Sequence, residues 1–251
     1  MSVGIDAEEV YHLLDTVTDF VIRQMRQELG NHLRGILLTG SRATQSDDAW
    51  SDWDFIVVHD KLWRQRRLQV WNHQEIELFL NPAERIMREF HDDNSPTVWM
   101  FVHGQILFDP EGIVKNLTQM AQCQWNSPRR GFGEGEIDLW RYRVCDMVKD
   151  VAGCIEKSPL TTMYLIPLCM QLAIEGYYKF HQWWQPKSKY ILTDFIKRQP
   201  ELGRLAETIL LDPLEPAARM TLLTSFVEQI LKPAGGCLVQ WASPVEIIRD
   251  P

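Results

Sequence analysis

The residues best placed to do chemistry lie between positions 37 and 58. The apolar run Leu37-Leu38-Thr39 ends in Gly40-Ser41, and ten residues later Ser51-Asp52-Trp53-Asp54 opens a second apolar run, Phe55-Ile56-Val57-Val58. Strand side chains alternate faces at about 3.3 Å per residue, so Asp52 and Asp54 share a side and Trp53 takes the other. Two carboxylates that close repel unless a cation lies between them. Hard oxygen ligands on a strand suit Mg²⁺, which usually keeps substrate phosphate oxygens in its shell. The Gly40-Ser41 turn offers backbone N–H groups and a hydroxyl to a phosphate. Arg42 follows directly, either as a partner for phosphate or as a surface arginine at a helix start. The chemistry indicated is phosphoryl transfer.

A third acid is available. Gln74-Glu75-Ile76-Glu77-Leu78-Phe79-Leu80 alternates as a strand does, with Ile76, Leu78 and Leu80 on one face and Glu75, Glu77 and Phe79 on the other. Glu77 would join Asp52 and Asp54 on one sheet face. Three such carboxylates can hold two divalent ions about 3.5–4 Å apart, an arrangement that stabilises attacking and leaving oxygens together. A D-x-D alone is as easily a polar loop meeting a sheet. The joint pattern of turn, paired acids and third acid is far harder to reach by chance.

These residues need elements to position them. Val10, Leu13, Leu14, Val17, Phe20, Val21, Met25 and Leu29 recur at helical spacing from Asp6 to Leu29, with Gly30 as a stop. Short strands follow at Gly35–Thr39 and Asp52–His59, and residues Lys61 to Trp71 carry Arg64, Arg66 and Arg67 in what reads as a basic amphipathic helix. After the Gln74–Leu80 strand come a helix from Pro82 to His91, a short strand at Gly104–Asp109 and a helix from Glu111 to Gln124. The fold class expected is α/β of the α+β kind, a small mixed sheet of about four to five strands with flanking helices, followed by an all-α bundle. Residues 1–125 form the first domain, 126–135 a Gly- and Pro-rich linker and 136–251 the helical domain. Within the latter, helices are expected at Glu136–Lys157, Pro159–Trp184, Lys187–Arg198, Glu201–Leu211 and Pro216–Leu231, and the tail from Pro233 has no assignment. The G-x-G-x-G at 131–135 is no dinucleotide fingerprint, because no strand precedes it.

Composition narrows the partners. A formal net charge of −8 argues against a long nucleic acid, whose binders usually carry a basic face. The five cysteines include no C-x-x-C, and Cys145, Cys154 and Cys169 fall inside helical patterns, so reduced thiols are expected. With no leader and no apolar run of membrane-spanning length, the expected setting is a reducing cytoplasm, without a membrane partner.

Gly40-Ser41, the loop and Ser51-Asp52-Trp53-Asp54 before Phe55-Ile56-Val57-Val58 resemble the signature of the polymerase-β-type nucleotidyltransferase superfamily, most nearly its minimal and antibiotic-modifying members. Ile76-Glu77-Leu78 stands where the family has its third carboxylate strand, which favours Glu77 over Glu75, and Gly104–Asp109 is similar to its last strand. Thr44 departs from the pattern, since many relatives place a glycine there. The resemblance covers about residues 30–112 and implies transfer of a nucleoside monophosphate, from ATP or another NTP with Mg²⁺, to a hydroxyl, with pyrophosphate release. It implies that Gly40 and Ser41 hold phosphate and that Asp52, Asp54 and Glu77 bind metal. An aminoglycoside- or lincosamide-like small molecule is the acceptor it suggests.

Further candidates lie in the helical half. Lys149 could reach phosphate, or lie solvated between Asp146 and Asp150. Glu175 is a candidate base for the acceptor hydroxyl by resemblance to antibiotic nucleotidyltransferases, but it also lines up with Gln171 and Lys179 at spacing four, as in a polar stripe. Trp183, Trp184 and Tyr190 with Lys187 and Lys189 could stack on a ligand or pack in the core. Two rival readings are a regulatory, antitoxin-like module acting with a partner protein and a nucleic-acid tailing enzyme. Intact Gly40, Ser41, Asp52 and Asp54 count against the first, and the net charge against the second.

Overall fold

The computed structural model describes residues 7–238, 240–243 and 245, with side chains from Val17 onward. The chain divides into two compact units between Ser127 and Pro128.

The first unit begins with helix α1 (Ala7–Leu29), then strand β1 (Leu33–Thr39), the single turn α2 (Gly40–Ala43) and strands β2 (Trp53–His59), β3 (Gln65–Trp71) and β4 (Gln74–Pro82). Helices α3 (Ala83–His91) and α4 (Ser95–Val102), strand β5 (Gln105–Phe108) and helix α5 (Ile113–Trp125) complete it. The sheet runs β3-β4-β2-β1-β5. Among the described residues, β2 and β4 pair in parallel and the other neighbours antiparallel.

Alternation decides which face is which. Ile36, Leu38, Trp53, Phe55, Val57, Ile76, Leu78 and Leu80 point to one side and pack with Val17, Val21 and Met25 of α1. Burying each such side chain contributes about 1.5–3 kcal/mol. The stripe expected on α1 holds from Val17 on; Asp6 and the side chains of Val10, Leu13 and Leu14 lie outside the described residues. The opposite face carries Thr39, Asp54 and Glu77. Thr39 Oγ1 there donates to the Met100 carbonyl on α4 at 3.0 Å.

The expected basic helix over residues 61–71 is instead strand β3. Its residues alternate, with Arg67, Gln69 and Trp71 turned to α1 and Arg66, Leu68 and Val70 to the face of Glu77. Arg67 pairs with Glu28 at 2.9 Å, Gln69 bonds Gln24 and Trp71 stacks on Phe20 at 4.6 Å. Asn72 and His73, both at positive φ, make the tight reversal into β4. Pairing with β4 supplies the strand's hydrogen bonds, which a run of arginines does not reveal.

The second unit is helical. It comprises α6 (Glu136–Cys154), α7 (Pro159–Phe180), α8 (Ile191–Arg198), α9 (Pro200–Leu211) and α10 (Pro216–Leu231). Helix α7 buries Ile166, Met170, Ala173, Ile174, Tyr177 and Tyr178 in a core shared with Trp140, Phe195 and Phe226. Gly176 lets the Trp140 indole lie against the α7 backbone, where its Nε1 donates to the Leu172 carbonyl at 3.1 Å.

Cysteine use differs from expectation. Cys145 of α6 is bridged to Cys237, 92 residues on, while Cys123, Cys154 and Cys169 are free. Burial pushes the Cys169 thiol up to about 12. The guanidinium of Arg141 receives the chain at this point, donating to the Gly236 and Gly235 carbonyls at 2.7 and 2.9 Å. Helical patterning around Cys145 carries no information about a partner so far along the chain. The bridge removes the cysteine argument for a reducing compartment. No described helix is long and apolar enough to cross a membrane.

Cys237→Ser is expected to lower the stability of the helical unit by about 2–4 kcal/mol in denaturant titration, because the link closes a long loop. Thiol titration of the denatured, unreduced wild type should find the three free cysteines and no more; five would show that the bridge does not form.

Candidate active site

The sheet register assembles the acids. Asp54 lies directly opposite Glu77 across the parallel β2–β4 pair, and Thr39 at the end of β1 lies opposite Asp54 on its other side. One oxygen from each of Asp52, Asp54 and Glu77 falls within 4.8 Å of the others. Asp54 is only 6% exposed. Glu75 is a further residue pair along β4, opposite Val70, and exposed. It does not join the cluster.

Gly40 is needed here for two separate reasons. Its φ of +77° is a left-handed conformation that side chains resist, and a Cβ on it would overlap the Asp54 carboxylate. The turn after β1 is thereby pressed against the acid that opens β2. Ser41 is buried beside it, and its carbonyl accepts from the Thr44 and Ser46 N–H groups at 3.2 and 3.0 Å. Thr44, the departure from the glycine common at this place, donates its hydroxyl back to the Ser41 carbonyl at 3.1 Å, which tightens the loop.

Arg42 is engaged by the loop that follows the turn. Its guanidinium donates to Asp47 and to the Ser51 carbonyl, each at 2.9 Å, and lies 4.5 Å over the Trp53 ring. These contacts pin the loop between the turn and Asp52.

The acids have a counter-charge that sequence reasoning missed. Arg66 of β3 makes a two-pronged ion pair with Glu77, and Nη2 to Oε2 is 3.1 Å. Its side chain is 70% exposed against 13% for Glu77. The Glu77 hydrogen bond, then the charges of Asp54 and Asp52, raise the guanidinium above its ordinary pKa. Arg66 pairs with Phe79, not Glu77, so it reaches the acid diagonally. Only the register, not any local motif, could have indicated it.

The donor set fits a divalent cation. Three hard carboxylate oxygens converge, one from a buried aspartate, beside a glycine with no room for a side chain. Asp109, at the end of the last strand, accepts the Val114 and Lys115 N–H groups at 3.1 and 2.8 Å and so caps α5.

In the second unit, Lys149 is exposed on α6. Glu175 is half-buried and accepts from Gln171 at 2.8 Å, while Lys179 turns to Glu136 at 2.7 Å rather than to Glu175. Trp183 packs edge-on to Tyr177 and Tyr178 and against the core, and Trp184 is buried. Tyr190, next to the Lys189 ammonium at 5.1 Å, stays partly exposed.

Arg66→Gln should bind Mn²⁺ about three- to tenfold more tightly than wild type by paramagnetic or calorimetric titration, since a competing cation is removed. Unchanged affinity would show that Arg66 does not oppose the ion. Gly40→Ala should lose about 1–2 kcal/mol of stability from the backbone alone and bind Mn²⁺ about tenfold or more weakly as Asp54 is displaced; native affinity would remove the packing argument.

No protein-family model and no curated protein matches this sequence. Among solved structures, the chain is similar to the crystal structure of a nucleotidyltransferase-like protein from Exiguobacterium sibiricum 255-15, with a TM-score of 0.50 and 14% identity over 84% of this chain and 73% of that one. At that identity the likeness is one of fold: a mixed five-stranded sheet with flanking helices and a helical region after it, the nucleotidyltransferase-like architecture.

Proposed function

We propose that this chain is a metal-dependent nucleotidyltransferase that moves a nucleoside monophosphate, AMP from ATP, to a hydroxyl of a small acceptor, an antibiotic among the candidates. The observation that carries this reading is the convergence of Asp52, Asp54 and Glu77 within 4.8 Å beside Gly40. The fold likeness to a nucleotidyltransferase-like protein points the same way.

Asp52, Asp54 and Glu77 would hold Mg²⁺. Bound there, the ion would neutralise triphosphate charge and make the acceptor hydroxyl more acidic. The remaining work falls to the chain. Gly40 and Ser41 offer the phosphates a close-approaching backbone and a hydroxyl, and Gly40 sets the position of Asp54 at the same time. In the reaction the acceptor oxygen bonds to the α-phosphorus, the bond from that phosphorus to the bridging oxygen breaks, and pyrophosphate departs. The acceptor proton needs a base. Glu175 is the candidate from the helical unit, and Lys149 the candidate phosphate contact there. Held charges and fixed orientation, rather than a covalent intermediate, would account for most of the acceleration.

Purified protein incubated with Mg²⁺, each NTP and an acceptor panel should release pyrophosphate and add a nucleotide mass to one acceptor. Asp54→Asn is expected to reduce that transfer by about 10³-fold or more while leaving the melting temperature near wild type. Glu77→Gln should come close to it, and Glu75→Gln should not. No transfer together with no Mg²⁺-dependent nucleotide binding would refute the proposal.

A further inference from the structure

The same sheet face continues past the acids into a cavity of about 530 Å³. Ile56 and Phe79 form its floor, each two residues beyond Asp54 and Glu77 on the same faces, so it starts roughly 7 Å down the strands from the carboxylates. Thr97 and Met100 of α4 wall it, and Arg64 and Arg66 stand on the β3 side. Arg66 belongs to both places, holding Glu77 while its guanidinium lies 5.1 Å over the Phe79 ring. A cavity of this volume suits a small organic molecule.

Its position relative to the turn matters. In nucleotidyl transfer the attacking and leaving oxygens lie roughly in line across the phosphorus. The Gly40-Ser41 turn sits at the end of β1, on one side of β2. Pyrophosphate held by that turn departs toward β1, and the nucleophile must therefore come from the opposite side, over β4 and β3. The cavity reaches that side, extending from Ile56 of β2 across Phe79 of β4 to Arg66 of β3.

We infer that this cavity is the acceptor site, and that its ligand is a neutral or anionic alcohol with a flat apolar face rather than a polycation; the inference rests on the nucleotidyl-transfer reading. Charge selects the class. The one carboxylate in the wall, Glu89, is already engaged by Arg85 at 3.1 Å, Arg64 at 3.5 Å and the Thr97 hydroxyl at 2.7 Å. Arg64 and Arg66 are themselves paired, with Glu89 and Glu77, but their side chains are 61% and 70% exposed against 16% for Glu89, so an anionic group can reach them while a polyamine finds no accessible acid. An aryl alcohol would instead lay its ring on Ile56 and Phe79 and turn any anionic group toward Arg64 or Arg66.

Ligand-observed NMR on the Mg²⁺-supplemented protein tests this with benzyl alcohol, para-hydroxymethylbenzoate and kanamycin as probes. Both aryl alcohols should bind wild type saturably at millimolar concentration, and kanamycin should not. Thr97→Trp, which fills the cavity, should weaken the aryl alcohols about tenfold or more. Pro96→Trp, at an exposed rim position, is expected to do the same and serves if Thr97→Trp fails to fold. No aryl alcohol binding, binding indifferent to both variants, or kanamycin binding that the variants abolish would each overturn the assignment. Mn²⁺ titration of the same wild-type sample separates the two levels: absence of metal binding defeats the transfer reading, whereas metal binding without aryl alcohol binding defeats the cavity assignment alone.

Discussion

Three carboxylates held within 4.8 Å of one another repel, so whatever fixes them must be stabilised elsewhere. Here the stabilisation comes from the reverse of the same sheet. Trp53, Phe55 and Val57 interleave with the acid-bearing side of β2, and Ile76, Leu78 and Leu80 do so on β4. All are nearly solvent-free against α1. A one-residue slip of either strand would turn this apolar set outward and the acids inward. The register that places Asp54 opposite Glu77 is therefore enforced by core burial that never touches the site. Electrostatic strain in front is offset by hydrophobic packing behind.

Arg66 reduces that strain further, and by a means open to change. An arginine that is mostly exposed gains little from its ion pair and gives it up at small cost. Asp54 and Ser41 are buried and Gly40 admits no side chain. The site thus has a close-fitted side, where the turn abuts the acid, and a loosely held side, where a guanidinium rests on Glu77.

The legible part of this arrangement in the sequence is the part encoded by short apolar runs and local periodicity. Strand β4 announces itself because its apolar residues recur in steps of two with Glu75 and Glu77 between them, and β2 because Asp52-Trp53-Asp54 opens a continuous apolar run. The Gly40-Ser41 turn is visible as a phosphate-binding candidate, though the contact of Gly40 with Asp54 is not. Strand β3 is hidden because three arginines among Arg64-Gln65-Arg66-Arg67 resemble a solvated helix; only the partner strand sorts Arg67 toward Glu28 and Arg66 toward Glu77. The Cys145–Cys237 bridge lay outside any window, since 92 residues separate the pair. Asp109 stood where a motif would put it, yet its carboxylate caps α5, a role set by the turn beyond it. Local periodicity carries strands and helices. Register carries ion pairs such as Arg66–Glu77, and it emerges only when the sheet closes.

The same asymmetry bears on how chemistry and selectivity divide over one face. On the β1 side the residues are small, buried and sterically coupled, so a change at Gly40 is felt at Asp54. On the β3 side the strand is an edge, and Leu68 and Val70 are 64% and 68% exposed beside Glu77 and Glu75. An edge strand has neighbours on one flank only, and its outward residues are under little packing constraint. Substitutions there could reshape the surface around the third acid and leave the register of β2 with β4 unchanged. The turn and its adjoining acid thus sit where the structure tolerates least change, and the residues beside Glu77 on the edge strand sit where it tolerates most. A fold organised this way can change the surface beside Glu77 while holding the carboxylate cluster fixed.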